Sequence, residues 1–300
     1  MAVKGFKSYV NKVDGIIHYY DLKRTSNRIG IVAIYAICIL MSIIFLFPMF
    51  WLILACFKDE LQLWSSTSMF PNPLDFDGLY RTWLRLDYGN SYIWSLYECA
   101  GAIVCTIVLN GLAGYALAIV KPRGHMFMWN LCMTLMLIPV TGGFVVLYRT
   151  FVNLGLNQGQ IWPLFLGSGG SPYTIMIFKT FFQNIPKDYI EAARLDGATD
   201  LDIFFRIIIP LSKPIVAIQA INAFTGAWSN FLMPYLCLMN SDRKTVMVKL
   251  YMQTGQGGIP LDQLRASLFS VLPPVVFFCI FQRYIMNNNT AAGVKGEATY

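Results

Sequence analysis

Six apolar stretches run through the chain, each about as long as a helix needs to cross the hydrocarbon core of a bilayer. Because lipid cannot satisfy bare backbone groups, spans of this kind form helices. The pattern therefore predicts an all-α polytopic membrane protein with six transmembrane helices. Residues 1–29 precede the membrane domain 30–286, and a short polar tail, 287–300, follows it. The six predicted spans are residues 31–57, 93–120, 127–148, 161–182, 215–238 and 266–286.

The third and fourth spans are interrupted by residues that break helices. Pro139 and the pair Gly142 and Gly143 lie in the third, and the sequence Gly-Ser-Gly-Gly-Ser-Pro at 167–172 lies in the fourth. We expect a non-helical kink in the fourth span. At membrane depth such a kink must be covered by protein or face a water-filled space.

The composition agrees with a membrane protein. Of the 300 residues, 56% are hydrophobic and 13% are charged, and the mean hydropathy is +0.53. A soluble domain carries about 25% charged residues. The net charge of +7 does not indicate nucleic-acid binding, because the basic residues are spread among short loops instead of being clustered on a folded domain.

The distribution of basic residues predicts the orientation. With the N-terminus inside, 15 of the 23 Lys and Arg residues lie on the inner side. This bias places both chain ends and the loop 184–214 in the cytoplasm. The outer loop with Arg243, Lys244 and Lys249 runs against the rule but does not reverse the balance.

The loop 184–214 has the pattern of a charged helix–turn–helix between two apolar spans. Pro186 fits a first helical turn, and Gly197 fits a helix C-terminus that needs positive φ. Thr199 followed by Asp202 predicts a capping box that opens a second helix. We expect the apolar run of that helix to end at Pro210.

Six positions of this loop resemble the cytoplasmic coupling-loop signature of binding-protein-dependent ABC importers. The signature is Glu-Ala-Ala, three residues, Gly, nine residues, Ile, one residue, Leu, Pro. Ile209 stands where Leu is usual. Stretches 180–198, 223–235 and 272–296 are similar to the carbohydrate branch, closest to the smaller permease of maltose-type importers. The matching residues of the loop are Glu191, Ala192, Ala193, Gly197, Ile207 and Pro210.

This resemblance implies a type I ABC importer permease fold and a set of partners. A second permease subunit completes the pathway, an ABC ATPase dimer hydrolyses ATP with Mg²⁺, and an extracytoplasmic solute-binding protein delivers the solute. The chain itself would bind no cofactor and would lie in a bacterial or archaeal plasma membrane. The tail would reach towards the ATPase dimer. The residues implied in ATPase docking are Glu191, Ala192, Ala193, Arg194, Asp196 and Gly197.

Polar residues in the fifth span are candidates for lining the translocation pathway. Asn222, Thr225 and Ser229 recur at helical spacing and predict one polar stripe; Trp228 and Asn230 complete the candidate set. The alternative for all five residues is hydrogen bonding between helices.

Two further features of the sequence leave alternatives open. Glu98 lies near the outer end of its span, where we expect water to reach it. It serves helix packing or an interfacial role, or it contacts the solute. The outer loop 58–92 is either an ordered cap that meets the binding protein or a connection that covers helix ends.

No catalytic or metal-binding signature appears in the sequence. The histidines are His18 and His125, and HExxH, GxSxG and GxxxxGK[ST] are absent. The seven cysteines lie in or beside apolar segments, as small buried hydrophobes do. These absences favour a non-catalytic chain, and the resemblance to carbohydrate permeases implies that it transports a sugar or oligosaccharide. The alternatives are an importer of glycerol phosphate or another solute, and a polytopic membrane transferase.

Overall fold

The computed structural model describes residues 25–65, 68–138, 140–255 and 259–293, and the chain divides into two compact units. The first unit comprises residues 1–74. It contains α1 (Thr25–Cys56), a helix that is apolar around its whole circumference, and the short α2 (Glu60–Ser65). At 1.5 Å per residue, α1 is about 48 Å long, which is more than enough to cross a bilayer.

The second unit, residues 75–300, holds the other helices. Every regular element formed by its described residues is helical. These helices are α3 (Phe76–Arg85), α4 (Tyr88–Cys105), α5 (Gly111–Tyr115), α6 (His125–Leu135), α7 (Val140–Asn153), α8 (Trp162–Leu166), α9 (Pro172–Phe182), α10 (Lys187–Leu195), α11 (Asp200–Ile203), α12 (Ile209–Leu211), α13 (Lys213–Ser229), α14 (Leu232–Leu238), α15 (Val246–Gly255) and α16 (Pro260–Gly293).

Helices α4 and α5 belong to one long helix, Tyr88–Val120, around which the second unit packs. Two five-residue π-helical segments, Thr106–Asn110 and Ala116–Val120, interrupt its α-helical hydrogen bonding. Helix α13 packs along its first half and α9 along its second half. The long helix therefore joins the two ends of the unit.

Three helices among the described residues are long and apolar enough to cross a membrane: Ile29–Cys56, Tyr88–Val120 and Pro260–Gln282. The other three predicted spans each contain two shorter helices. The number of six crossings therefore stays a prediction. The fifth predicted span, 215–238, is divided, because Asn230 has extended backbone angles (ψ 118°) and separates α13 from α14.

The break in the fourth predicted span lies where the sequence places it. Gly167–Gly170 forms a 3₁₀ turn between α8 and α9. The buried amide of Asn110 donates to the Ser168 carbonyl at 2.9 Å and accepts from the Ser171 N–H at 3.0 Å. A side chain from the long helix thus satisfies backbone groups that lipid could not.

Candidate functional site

Helix α10 is the first helix of the loop 184–214, which we call the coupling loop. Nearby residues in the sequence set both ends of this helix. Pro186 takes the N-cap position with ψ 133°, so the helix begins at Lys187 and the prediction that Pro186 lies inside the first turn is wrong by one residue. An N-cap residue has non-helical backbone angles, and Pro186 supplies them. At the other end Gly197 has φ +80°. The Gly197 and Ala198 N–H groups donate to the Arg194 and Ala193 carbonyls, forming a Schellman motif.

The second helix of the loop opens with the predicted capping box. The Asp202 N–H donates to the Thr199 hydroxyl, and the Thr199 N–H donates to the Asp202 carboxylate. Hydrogen bonds from the Thr199 hydroxyl and then from its N–H hold the pKa of Asp202 below its ordinary value. The helix continues through a π-helical segment, Phe204–Ile208, and ends at Leu211, one residue beyond the predicted Pro210.

One face of α10 packs inward and another is open. Ile190 and Ala193 are buried in an apolar cluster with Phe182 and Phe204. The opposite side exposes Tyr189 (55%), Ala192 and Leu195 (89%), which are three residues apart and which we call the exposed stripe. An isolated exposed leucine needs no explanation, but an apolar stripe on a short helix indicates a contact surface.

The residues predicted to dock the ATPase do not all lie on one face. Glu191, Ala192, Arg194, Asp196 and Gly197 are exposed. Ala193 is 9% exposed because it packs against the body of the protein. Its small side chain therefore brings α10 close to its own subunit. The docking role of the six residues stays a prediction.

A tether of three side chains joins the coupling loop to the long helix. The Arg194 guanidinium donates to the Asp200 carboxylate at 3.1 Å, and the Tyr115 hydroxyl donates to the same oxygen at 3.3 Å. Tyr115 lies at the end of α5 and its ring packs on Phe204. Movement of α10 is thus linked to the long helix by both polar and apolar contacts.

The candidate pathway residues separate into three environments. Asn222, Thr225 and Ser229 are exposed along one face of α13. Trp228 is 4% exposed, and its indole N–H donates to the Ser270 carbonyl at 2.9 Å. Asn230 is half-buried at the break after α13. The structure therefore brings the first three together and gives Trp228 a packing partner.

Glu98 is buried, with 2% of its surface exposed, so the predicted access to water is wrong. Helix α13 packs along α4 at this level, where the thiol of the adjacent Cys99 contacts the Phe224 carbonyl. Although Glu98 lies near the end of its predicted span, neighbouring helices cover that end and exclude water from its side chain.

Sequence reasoning missed a network of charged side chains, here named the cap network, that joins α3 to the start of α16. Thr82 donates to Asp262 at 2.9 Å, and Arg85 forms an ion pair with the same carboxylate. Arg265 donates to Asp75 at 2.8 Å and to Thr82 at 3.3 Å. Asp262 and Arg265 are 3% and 4% exposed, so the centre of the network is shielded from water, whereas the Arg85 side chain at its edge is 54% exposed.

Close packing around Gly78 completes the cap network. A Cβ at this position would lie 1.9 Å from an Asp75 carboxylate oxygen and 2.7 Å from Arg265. Burial raises the pKa of the Asp75 carboxyl, but the Gly78 N–H and the Arg265 guanidinium offset this and hold it below its ordinary value. No signal in the sequence pairs these residues, because Asp75 and Arg265 are 190 positions apart.

Lysine 249 fixes the turn between α3 and α4. Its ammonium donates to the Leu86 carbonyl at 2.7 Å and to the Asp87 carbonyl at 3.2 Å. Asp87 has φ +46°, a left-handed conformation that non-glycine residues seldom adopt. The part of the outer loop that follows Asp75 is thus ordered, whereas its contact with a binding protein stays a prediction.

Among the described residues, no three His, Cys, Asp or Glu side chains lie close enough together to hold a metal ion. The features that stand out are instead the exposed stripe of α10, the tether behind it and the polar face of α13. The exposed stripe and the polar face are surfaces that can contact other molecules, and the tether can transmit movement of α10 to the long helix.

Comparison with known proteins identifies the family of the chain. The family described as "Binding-protein-dependent transport system inner membrane component" matches residues 27–286. The arabinooligosaccharides transport system permease protein AraQ of Halalkalibacterium halodurans is 31% identical over 85% of this chain and 93% of its own length. The melibiose/raffinose/stachyose import permease protein MelC of Bacillus subtilis is 30% identical over 78% of this chain and 86% of its own length.

The fold also matches a solved structure. It is a chain of a bacterial ABC transporter involved in the import of the acidic polysaccharide alginate, with a TM-score of 0.76 and 18% identity. The match covers 87% of this chain and 98% of that chain. At this identity the likeness shows a shared ABC importer permease fold.

Proposed function

Because this chain belongs to the inner-membrane components of binding-protein-dependent transport systems, we propose that it forms half of the translocation pathway for a sugar or oligosaccharide. A separate ATPase would drive it. The main observation behind the proposal is the exposed stripe of α10. The tether of Arg194, Asp200 and Tyr115 joins this helix to the long helix. The names of the relatives AraQ and MelC supply the solute class.

The exposed stripe is the part of the loop that would enter a groove on the ATPase. Leu195 offers an apolar side chain to a pocket, Tyr189 adds an aromatic ring, and Ala192 between them permits close approach. Glu191, Arg194 and Asp196 are exposed beside the stripe and can form ion pairs at the rim. Buried apolar anchors within a polar rim are the usual arrangement of a protein interface.

Movement of the docked helix would reach the membrane through two sets of contacts. Ile190 and Ala193 pack in the apolar cluster with Phe182 and Phe204. Arg194 and Tyr115 are linked because both donate hydrogen bonds to Asp200. Closure of the ATPase dimer on ATP and Mg²⁺ would therefore displace the end of the long helix. The chain itself needs no catalytic group for this role.

The polar face of α13 would line the pathway beside a second permease subunit. Asn222, Thr225 and Ser229 offer amide and hydroxyl groups, which exchange hydrogen bonds with sugar hydroxyls without demanding a charge. Trp228 and Asn230 would support this face at its end. The solute-binding protein would approach the opposite end of the long helix from α10, where α3 and α15 lie.

Purification of the tagged chain from its native cell in mild detergent tests the assembly. Mass spectrometry should identify an ATPase subunit and a second multi-span permease in the same complex. Uptake of arabino-oligosaccharides and of raffinose is then measured in vesicles that contain the complex and its binding protein. Recovery of the chain alone and intact would contradict the proposal, and uptake of glycerol phosphate without uptake of sugars would contradict the solute class.

A pair of leucine variants tests the exposed stripe. Leu195→Ala should abolish or strongly reduce transport and lower the amount of ATPase recovered with the chain. The matched control is Leu201→Ala, since Leu201 is also exposed (59%) but lies on α11. Equal loss of transport in the two variants would mean that the stripe is not the docking surface.

A further inference from the structure

A cavity of about 440 Å³ lies beside α10, along the edge that carries Lys187, Glu191 and Arg194 and adjoins the exposed stripe. The end of the long helix, the end of α9 and α10 itself form its walls. Its apolar wall includes Ile119, Phe182 and Ile185. Its charged side chains are Lys121, Lys187, Glu191 and Arg194.

The charges of the cavity favour an anion. Three cationic side chains face one carboxylate, and the cationic Arg194 is shared with Asp200. Lys187, Glu191 and Arg194 recur at intervals of four and three, so they form one edge of α10. Lys121 belongs to a different wall, at the end of the long helix. An anionic group between these walls would be attracted from both sides.

The position of the cavity along the helices indicates where that anion comes from. Lys121 directly follows Val120, and Gln183 directly follows Phe182, so two of the predicted spans end at this level. One turn further back, the Lys179 ammonium lies 3.3 Å from the centre of the Trp129 ring. Tryptophan and lysine are enriched at the headgroup level of a bilayer. The cavity therefore opens at the depth of lipid headgroups.

We infer that this cavity binds the phosphate headgroup of an anionic phospholipid. Lys121 and Lys187 contact the phosphate, and the glycerol and first acyl carbons lie against Ile119, Phe182 and Ile185. Basic pockets between helices on the cytoplasmic side are a recurring kind of lipid site. A free phosphate ion would use the cations and leave the apolar wall unused, so the lipid is the better match.

Lipid in this place would act on the coupling helix. The lipid would contact Lys187 near the start of α10, while Glu191 and the exposed stripe stay open for the ATPase. Anionic lipid would then stabilise one position of α10 and change the ATPase activity that the complex supports. The inference does not depend on which solute is transported.

The test uses the intact complex with its ATPase, reconstituted in nanodiscs of phosphatidylcholine with increasing phosphatidylglycerol. Lipid retained after detergent extraction is counted by native mass spectrometry. Wild-type complex should retain phosphatidylglycerol in preference to phosphatidylcholine. Lys121→Gln and Lys187→Gln should each weaken this preference about fivefold, the value expected for one cation near an anionic surface. Glu191→Gln should strengthen it, because it removes the opposing charge.

The control is Arg206→Gln, which removes an 81% exposed charge elsewhere on the loop and should leave retention unchanged. Equal retention of the two lipids by the wild type would overturn the inference. So would a loss of ATPase subunit from the two lysine variants with normal lipid retention, because the cavity would then be a protein-docking surface. Displacement of the lipid by millimolar inorganic phosphate would assign the site to a free ion and would also overturn it.

Discussion

The two ends of the long helix Tyr88–Val120 are built in different ways. At the Tyr88 end, an oppositely charged pair of side chains is buried: Arg265 is 4% and Asp262 3% exposed, and both bind partners on α3. Aromatic rings pack beside them, with Trp83 and Phe269 edge to face at 5.1 Å. Removing one member of such a network leaves another charge without its partner, so this end resists deformation.

At the Val120 end the charged side chains are exposed. The Arg194 and Asp200 side chains are 49% and 51% exposed, although an apolar cluster lies beneath them. Two π-helical segments, Ala116–Val120 and Phe204–Ile208, lie at this end. Such segments are often found at functional sites. We interpret the Tyr88 end as the fixed end of the helix and the Val120 end as the one that moves.

Breaking the cap network should have the largest effect on stability. Arg265→Ala removes the partner of Asp75 and Thr82 and should cost about 3 kcal/mol, because it leaves a partly buried carboxylate unpaired. The melting temperature of the purified complex measures this loss. Arg265→Lys keeps a charge and should recover part of it. An Arg265→Ala complex as stable as the wild type would remove the distinction between the two ends.

Introducing a methyl group at Gly114 should have the next largest effect. A Cβ there would lie 2.7 Å from the Phe178 Cβ and 3.0 Å from the Lys179 backbone nitrogen, so the long helix and α9 must separate. Overpacking of this kind costs about 1–3 kcal/mol. The control is Gly226→Ala on α13, where no atom lies within 4 Å. The melting temperature should fall for Gly114→Ala and stay level or rise for the control.

Trp228→Phe should have a moderate effect at the fixed end. The ring packing on Phe224 and Tyr92 would largely persist, but the hydrogen bond to the Ser270 carbonyl would be lost. The expected cost is about 1 kcal/mol. Uptake assays on the same variant separate packing from solute contact. A normal melting temperature with reduced uptake would indicate that Trp228 acts on the solute.

Arg194→Ala should have a smaller effect on stability. An exposed ion pair contributes about 0–1 kcal/mol, and the Tyr115 hydroxyl still binds Asp200. The melting temperature should therefore change little. The ratio of ATP hydrolysed to solute transported should rise, because the tether is weakened. A stability loss as large as that of Arg265→Ala would show that both ends are fixed.

The pH dependence of stability that comes from Asp75 should be the smallest of these effects. The pKa of Asp75 is held below its ordinary value in the folded protein, so its contribution is complete above the unfolded pKa of about 3.9. It is lost as the pH falls through the lower folded pKa. Melting temperatures of the wild type and Asp75→Asn, measured from neutral pH down to about pH 3, should converge in acid. Parallel curves would contradict the assignment.

The sequence predicts the coupling loop well because its signals are local. Gly197 takes the positive φ expected of it, and Thr199 and Asp202 form the capping box. Both features depend on residues within a few positions of each other. The break at Gly167–Gly170 is equally local. Such elements can be predicted because the residues that specify them are close in sequence.

Features that depend on distant contacts could not be predicted. The burial of Glu98 and Ala193 depends on which helices cover them, and the pairing of Asp75 with Arg265 spans 190 positions. The division of the fifth span at Asn230 has no glycine to mark it, although Pro234 lies one turn further on. The π-helical segments are ordinary apolar sequences. Their hydrogen bonding follows from the packing around them.

Asn110 has a consequence for the order in which the protein is made. The Gly167–Gly170 break cannot enter lipid alone, because its backbone groups would lack partners there. Their partner, the Asn110 amide, belongs to a helix that leaves the ribosome about 60 residues earlier. The helix that covers the break is therefore already synthesised when the break emerges. During synthesis, the Asn110 amide is therefore available to both the Ser168 carbonyl and the Ser171 N–H as soon as the break is inserted.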